Sequence, residues 1–163
     1  MRFRYDPAKT FGQNAVGAFI AYVVIDGLCA ALGMGVPLFC ILLGFSVGWF
    51  SAVRAWHFVP GHTGAMKRAL RYALLTSFVT FVIMVAVWGR LVPLMFHPVI
   101  NSGNMGLPLI LYEPKASLVG WLVLMIFISP FVQFLMTVLG SYLTFLFLFR
   151  RWPDGPPSAS PEG

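Results

Sequence analysis

SLVGWLVLMIFISPFVQFLMTVLGSYLTFLFLF, from Ser117 to Phe149, runs for 33 residues without one Asp, Glu, Lys, Arg or His. As a single helix it would measure about 50 Å, well beyond the ~30 Å hydrocarbon core of a bilayer. Tilt, a kink at Pro130 or projection of one end past the membrane would reconcile the two lengths. Three more apolar runs lie upstream: Ala15 to Met34, broken only by Asp26, then Pro37 to Val53 and Tyr72 to Gly89. Hydrophobic residues make up 59% of the chain and charged residues 10%, with a mean hydropathy of +0.84. An ordinary soluble domain carries about 25% charged residues. The runs are too long and too evenly apolar for the alternating pattern of a membrane barrel. In lipid each backbone group must find its partner within its own segment, so such runs form helices. The fold class predicted is therefore all-α: a polytopic integral membrane protein with four transmembrane helices arranged as two antiparallel hairpins. Residues 1–152 form that domain, with spans at about 15–34, 37–53, 72–89 and 117–149, and 153–163 form a disordered cytoplasmic tail rich in Pro, Ser and Gly.

The joints between the runs support this threading. Gly33-Met34-Gly35-Val36-Pro37 reads as a tight turn, with Pro37 suited to the first position of a helix. Pro60, Gly61 and Gly64 break the stretch from Arg54 to Arg71 into a loop. A cleaved signal peptide would have a shorter apolar core and a small-residue cleavage site, and an acid amid the first run argues further for a retained helix. Basic residues set the orientation. Arg2, Arg4, Lys9, Arg54, Lys67, Arg68, Arg71, Arg150 and Arg151 fall on one side, and only Arg90 and Lys115 on the other. The positive-inside rule places both termini and residues 54–71 in the cytoplasm, with an inner or plasma membrane as the location. Trp49, Trp56, Trp88, Trp121 and Trp152 lie near the span boundaries, where indole rings favour the head-group zone. The net charge of +6 is thus read as contact with membrane lipids; no basic stripe interleaved with aromatics suggests nucleic acid.

Asp26 is the foremost candidate for function, the sole acid within the four runs and near mid-membrane. An acid there costs several kcal/mol unless paired or neutral, so it marks a proton or cation site, a contact to a partner, or a hydrogen-bonded neutral carboxyl. Tyr22 lies one turn earlier on the same face. Gly44 and Gly48 form a small-xxx-small pair, with Ser51 near the same face, and are read as helix-packing positions. Their expected partner is helix 1, which offers Gly17 with Ala21 and Gly27 with Ala31, with dimerisation as the alternative.

Chemistry beyond this is sparse. His57 and His62 lack helical or zinc-finger spacing, His97 belongs to the other side, and none lies within a span where haem would need it. Cys29 and Cys40 read as small buried hydrophobes. Ser46, Ser51, Ser77, Ser117 and Ser129 have no His and acid in nucleophile spacing, and no phosphate-binding loop is present. No cofactor, metal or catalytic residue is expected, and the reading leans away from an enzyme.

The outer segment from Leu91 to Ala116 is greasy for a loop, despite four prolines. Its centre, Asn101-Ser102-Gly103-Asn104-Met105-Gly106-Leu107-Pro108-Leu109, offers amide side chains and open backbone of the kind that broken helices use around substrates. This nonapeptide resembles an Asn/Gly/Pro-rich helix break of the auxin efflux carrier family. The family is much longer than this chain, and no activity is carried over from it. The expected role is a non-enzymatic accessory or assembly subunit of a membrane complex, or a homo-oligomer, whose partners are lipids and other membrane subunits. The rival is a small oligomeric transporter or channel with Asp26, Asn101 and Asn104 along its path, and with Gln133 and Thr137 of helix 4 lining the interior.

Overall fold

The computed structural model describes residues 15–32, 36–59 and 61–151. Helix α1 is Ala15–Leu32, α2 is Val36–Phe58 and α3 is His62–Trp88. A 3-10 segment, Gly89–Phe96, extends α3, and α4 is the long helix Pro114–Arg151. Among the described residues every regular element is helical. Three helices, α2, α3 and α4, are long and apolar enough to cross a membrane, which points to a membrane protein; α1 is equally apolar but shorter over its described extent.

The side chains are distributed inside out relative to a soluble bundle. The buried stripe of α3 is Ala65, Ala69, Ala73, Thr76, Thr80 and Met84, a 4-4-3-4-4 spacing that holds one helical face. That of α4 contains Ser129, Pro130, Gln133, Thr137, Gly140 and Ser141 before it reaches Phe145 and Leu148. Large apolar residues point outward, among them Leu74, Phe78, Phe127, Phe131 and Phe147. Small and polar residues inside with apolar bulk outside is the arrangement lipid favours, because lipid tails solvate Leu and Phe as well as a core does.

The closest helix pair is α2 with α4. A Cβ added at Gly44 would lie 2.7 Å from the Gln133 carbonyl oxygen, and one at Gly140 would lie 2.7 Å from that of Phe45. At Gly48 the added carbon would collide outright with the Thr137 carbonyl. Gly44 and Gly48 therefore do meet a helix, but α4 rather than the expected α1. Gly17 and Gly27 face open space, and α1 leans on α3 while barely touching α2. Two apolar clusters bracket the bundle. One joins Ala52, Ala55 and Trp56 of α2 to Ala65 and Ala69 of α3 and to Phe145 and Leu148 of α4. The other joins Ala30, Cys40, Met84 and Met125, one residue from each helix.

The first cluster explains why helices extend through a stretch read as loop. The expected boundary at Val53 is overrun by a further turn carrying Ala55 and Trp56, and α3 begins at His62 rather than near Tyr72. Trp56 packs on Phe149 at 5.0 Å between ring centroids, and His62 meets the same Phe149 edge-on at 4.4 Å. The break itself shrinks to a few residues around Gly61, whose φ of 82° is one that glycine adopts without strain. Pro130 leaves its mark one turn upstream. Leu124–Ile128 form a π turn, in which the Ser129 N–H reaches the Leu124 carbonyl and its hydroxyl binds the same oxygen at 2.8 Å. Widening the helix there relieves the clash between a proline ring and the preceding turn. The turn expected at Gly33 to Gly35 and the tails at 1–14 and 152–163 lie outside the described residues.

Gly48→Ala is expected to lower stability by about 1–3 kcal/mol, the range for overpacking a close contact. Gly27→Ala, whose new methyl meets nothing within 4 Å, should leave stability unchanged or slightly raised. Denaturant titration in detergent followed by circular dichroism separates the two; equal responses would mean that α2 and α4 are not in backbone contact.

Candidate functional site

Between the two apolar clusters lies a buried polar patch drawn from three helices. Tyr22 and Asp26, one turn apart on α1, face Thr76 and Thr80, one turn apart on α3. Gln133 of α4 completes it, donating from Nε2 to the Tyr22 hydroxyl oxygen at 2.7 Å. The Tyr22 hydroxyl reaches the Thr76 carbonyl at 2.9 Å and shares a short contact with the Thr80 hydroxyl. Thr80 in turn lies 3.1 Å from that same carbonyl. The Asp26 carboxyl sits within reach of both Thr80 and Tyr22. Exposure falls to 2% at Asp26 and to 0% at Thr80 and Gln133, so these three side chains are closed off from outside.

The patch has more acceptors than donors. Tyr22 and Thr80 supply one hydroxyl proton each, and both have the Thr76 carbonyl as an acceptor. Among the described residues, Asp26 Oδ2 and Gln133 Oε1 are buried with no hydrogen-bond partner. An orphaned acceptor at this depth costs about 1–3 kcal/mol. Buried acceptors of this kind are completed by a proton, an ordered water or an ion.

A second polar seam continues along the α2–α4 contact. Ser141 donates to the Gly48 carbonyl at 3.1 Å or to Thr137 in its own helix at 2.8 Å, and Ser51 lies 3.3 Å from it across the interface. Farther along, Ser77 donates to the Pro130 carbonyl at 2.8 Å. The serines weighed as nucleophiles are thus engaged with backbone: Ser46 with Leu42, Ser51 with Gly48, Ser77 with Pro130 and Ser129 with Leu124. Ser117 instead accepts the N–H groups of Ile110 at 2.7 Å and Leu111 at 3.2 Å, stapling the outer loop onto α4. Cys29 and Cys40 are free thiols.

The structure brings Tyr22, Asp26 and Gln133 together and leaves Asn101 and Asn104 elsewhere. Asn101 accepts the Asn104 N–H at 3.1 Å, and the Asn104 amide donates to the Val99 carbonyl at 2.8 Å. Both asparagines shape their own loop, and no hydrogen bond among the described residues ties them to the patch. Trp121 adds a further staple, donating to the Pro108 carbonyl at 2.7 Å. Thr76 and Thr80 are the members that sequence reading missed. Their signal was the i, i+4 repeat of hydroxyls within the stripe of small residues on α3. No family model, no curated protein and no solved structure matches this chain, so the likeness of the Asn101 segment to auxin carriers gains no support.

The Tyr22–Gln133 contact makes a measurable claim. Tyr22→Phe and Gln133→Leu are each expected to destabilise the protein, with a coupling of about 0.6–1.7 kcal/mol in a double-mutant cycle, the range for hydrogen bonds between membrane helices. Ser46→Ala, removing an exposed hydroxyl bound only to its own helix, serves as the silent control. Zero coupling would dissolve the link between α1 and α4.

Proposed function

We propose that this chain is a four-span integral membrane protein that acts as a non-enzymatic accessory or assembly subunit of a membrane complex, or as a homo-oligomer. In this reading α1 crosses with the other three helices, as two antiparallel hairpins, and the basic end faces the cytoplasm. Its support is the way polar and apolar groups are spent. The buried hydroxyls go into joining helices to one another, and the apolar bulk is left outside as contact surface. That surface includes the loop residues Val99, Leu109, Ile110, Leu111 and Tyr112, all exposed and ill-suited to water. Helix α1 adds Val16, Ile20, Val24 and Leu28, exposed on a helix that leans chiefly on α3. The alternating direction is supported by the two end clusters: Ala30 meets Cys40, whereas Ala52 and Ala55 meet Ala65 and Ala69.

One observation favours a second reading, a small oligomeric transporter or channel. The unfilled oxygens of Asp26 and Gln133 are the groups that a proton or cation would use in passing. Asp26→Asn separates the two roles. An accessory subunit loses the proteins that travel with it in mild detergent, while uptake by vesicles containing the purified chain is absent before and after the change. A transporter keeps its assembly and loses proton- or cation-dependent uptake. Recovery of a bare monomer, with nothing bound in mild detergent, would end the subunit reading.

A further inference from the structure

Because α1 leans on α3 and hardly touches α2, a groove of about 360 Å³ opens between α1 and α2, with α3 as its floor. Ala18, Ala21, Tyr22 and Ile25 form one wall, and Leu43, Val47 and Phe50 the other. The lining is almost wholly apolar until its end, where Arg54 and Tyr72 close it. There the charge is concentrated. The Arg68 Nε donates to the Tyr72 hydroxyl at 3.3 Å, its guanidinium lies 5.9 Å from the Tyr72 ring centroid, and Arg54 reaches the same hydroxyl. Lys67 and Arg71 are exposed on the adjoining turns of α3.

We propose that this groove holds one acyl chain of an anionic phospholipid, with its phosphate at Arg54 and Arg68. Two quantities on the molecule carry the assignment beyond a bare apolar face. The first is length: from Leu43 to Arg54 α2 rises about 16 Å, and one leaflet occupies half of the ~30 Å hydrocarbon core. A chain entering from the head-group level at Arg54 therefore ends where the groove ends, beside Tyr22 and the polar patch. The second is charge complementarity: an apolar channel capped by two guanidiniums and a phenol matches a lipid tail capped by a phosphate diester. A neutral helix from a second copy would satisfy the walls and leave the cap unmatched. The inference rests on the membrane reading, and is independent of whether the chain serves a complex or carries ions.

The test uses the full chain in nanodiscs of equal parts phosphatidylglycerol and phosphatidylcholine, extracted gently and examined by native mass spectrometry. The wild type should retain one phosphatidylglycerol in about thirtyfold preference, as expected for two arginines at about 1 kcal/mol each. Arg68→Gln, at an exposed position, should cut the preference to about fivefold, the share left to Arg54, while keeping lipid bound. Val47→Trp, which fills the groove, should lose the retained lipid altogether, with its helicity and melting in detergent showing that the bundle persists. Equal retention of the two lipids by the wild type overturns the charge assignment. Retention undiminished by Val47→Trp, or a second copy of the chain in the lipid's place, overturns the proposal. A protein that stays dispersed without detergent would instead sink the membrane reading beneath it.

Discussion

The backbone contact between α2 and α4 is the constraint from which the rest of the arrangement follows. Helices in lipid have no hydrophobic drive to associate, so they depend on dispersion and on hydrogen bonds made at short range. Only a glycine lets two helix backbones approach until a carbonyl of one lies over the Cα of the other. Here Gly44 and Gly48 receive the backbone of residues 133–141, and Gly140 returns the contact at Phe45. That reciprocity fixes the rotation of α4. With Gly140 turned to α2, Gln133 faces the interior while Phe131 and Phe147 face outward.

Once α4 is so placed, its polar residues have a use. Gln133 would be a cost in hydrocarbon, yet at the bundle centre it anchors the Tyr22 hydroxyl of α1. Ser141 is placed to bridge to the Gly48 carbonyl and Ser77 to the Pro130 carbonyl, so three helix pairs share the same device of a hydroxyl or amide reaching a neighbour. Each bond is small, on average about 0.6 kcal/mol in a membrane protein. Their value is directional: they select one rotation of each helix among several that would bury similar area.

How much of this was legible depended on whether a residue declares its own environment or needs a partner to be named. Asp26 declares itself, because an acid amid twenty apolar residues has no cheap solution except burial among polar groups, and there the structure puts it. Gly44 and Gly48 announce a close approach but not whose backbone approaches. The nearest small-residue helix in sequence was α1, whereas the true counterpart, Gly140, lies in α4. Thr76 and Thr80 were overlooked since a threonine in an apolar helix can satisfy itself on its own preceding carbonyl, and both do so here. The helices α2 and α3 reach beyond the apolar runs that drew attention in the sequence, into a stretch that Pro60, Gly61 and Gly64 had marked as loop. Arg54 lays its guanidinium over the Phe58 ring at 5.4 Å, and the helix continues beneath it.

Helix α1 stands apart in this scheme. It has no glycine pressed against a neighbour, and it is attached by the Tyr22–Asp26 patch, by Ala30 in the apolar cluster with Cys40, Met84 and Met125, and by the Trp88 indole, which donates to the Ala30 carbonyl at 3.1 Å. A helix held chiefly along the edge that faces α3 leaves its other edge for whatever fits beside it. Any molecule that fills the groove between α1 and α2 therefore adds dispersion contacts on the side where the protein supplies few, and by linkage it stabilises the docked position of α1. The same helix carries Asp26 to Thr80, so the groove and the patch depend on one docking equilibrium of α1. A ligand can shift that equilibrium only by its difference in affinity for the docked and loosened states. Such a difference would come from the groove's far wall, which is α1 itself: Ala18, Ala21, Tyr22 and Ile25 belong to the site only while α1 is docked.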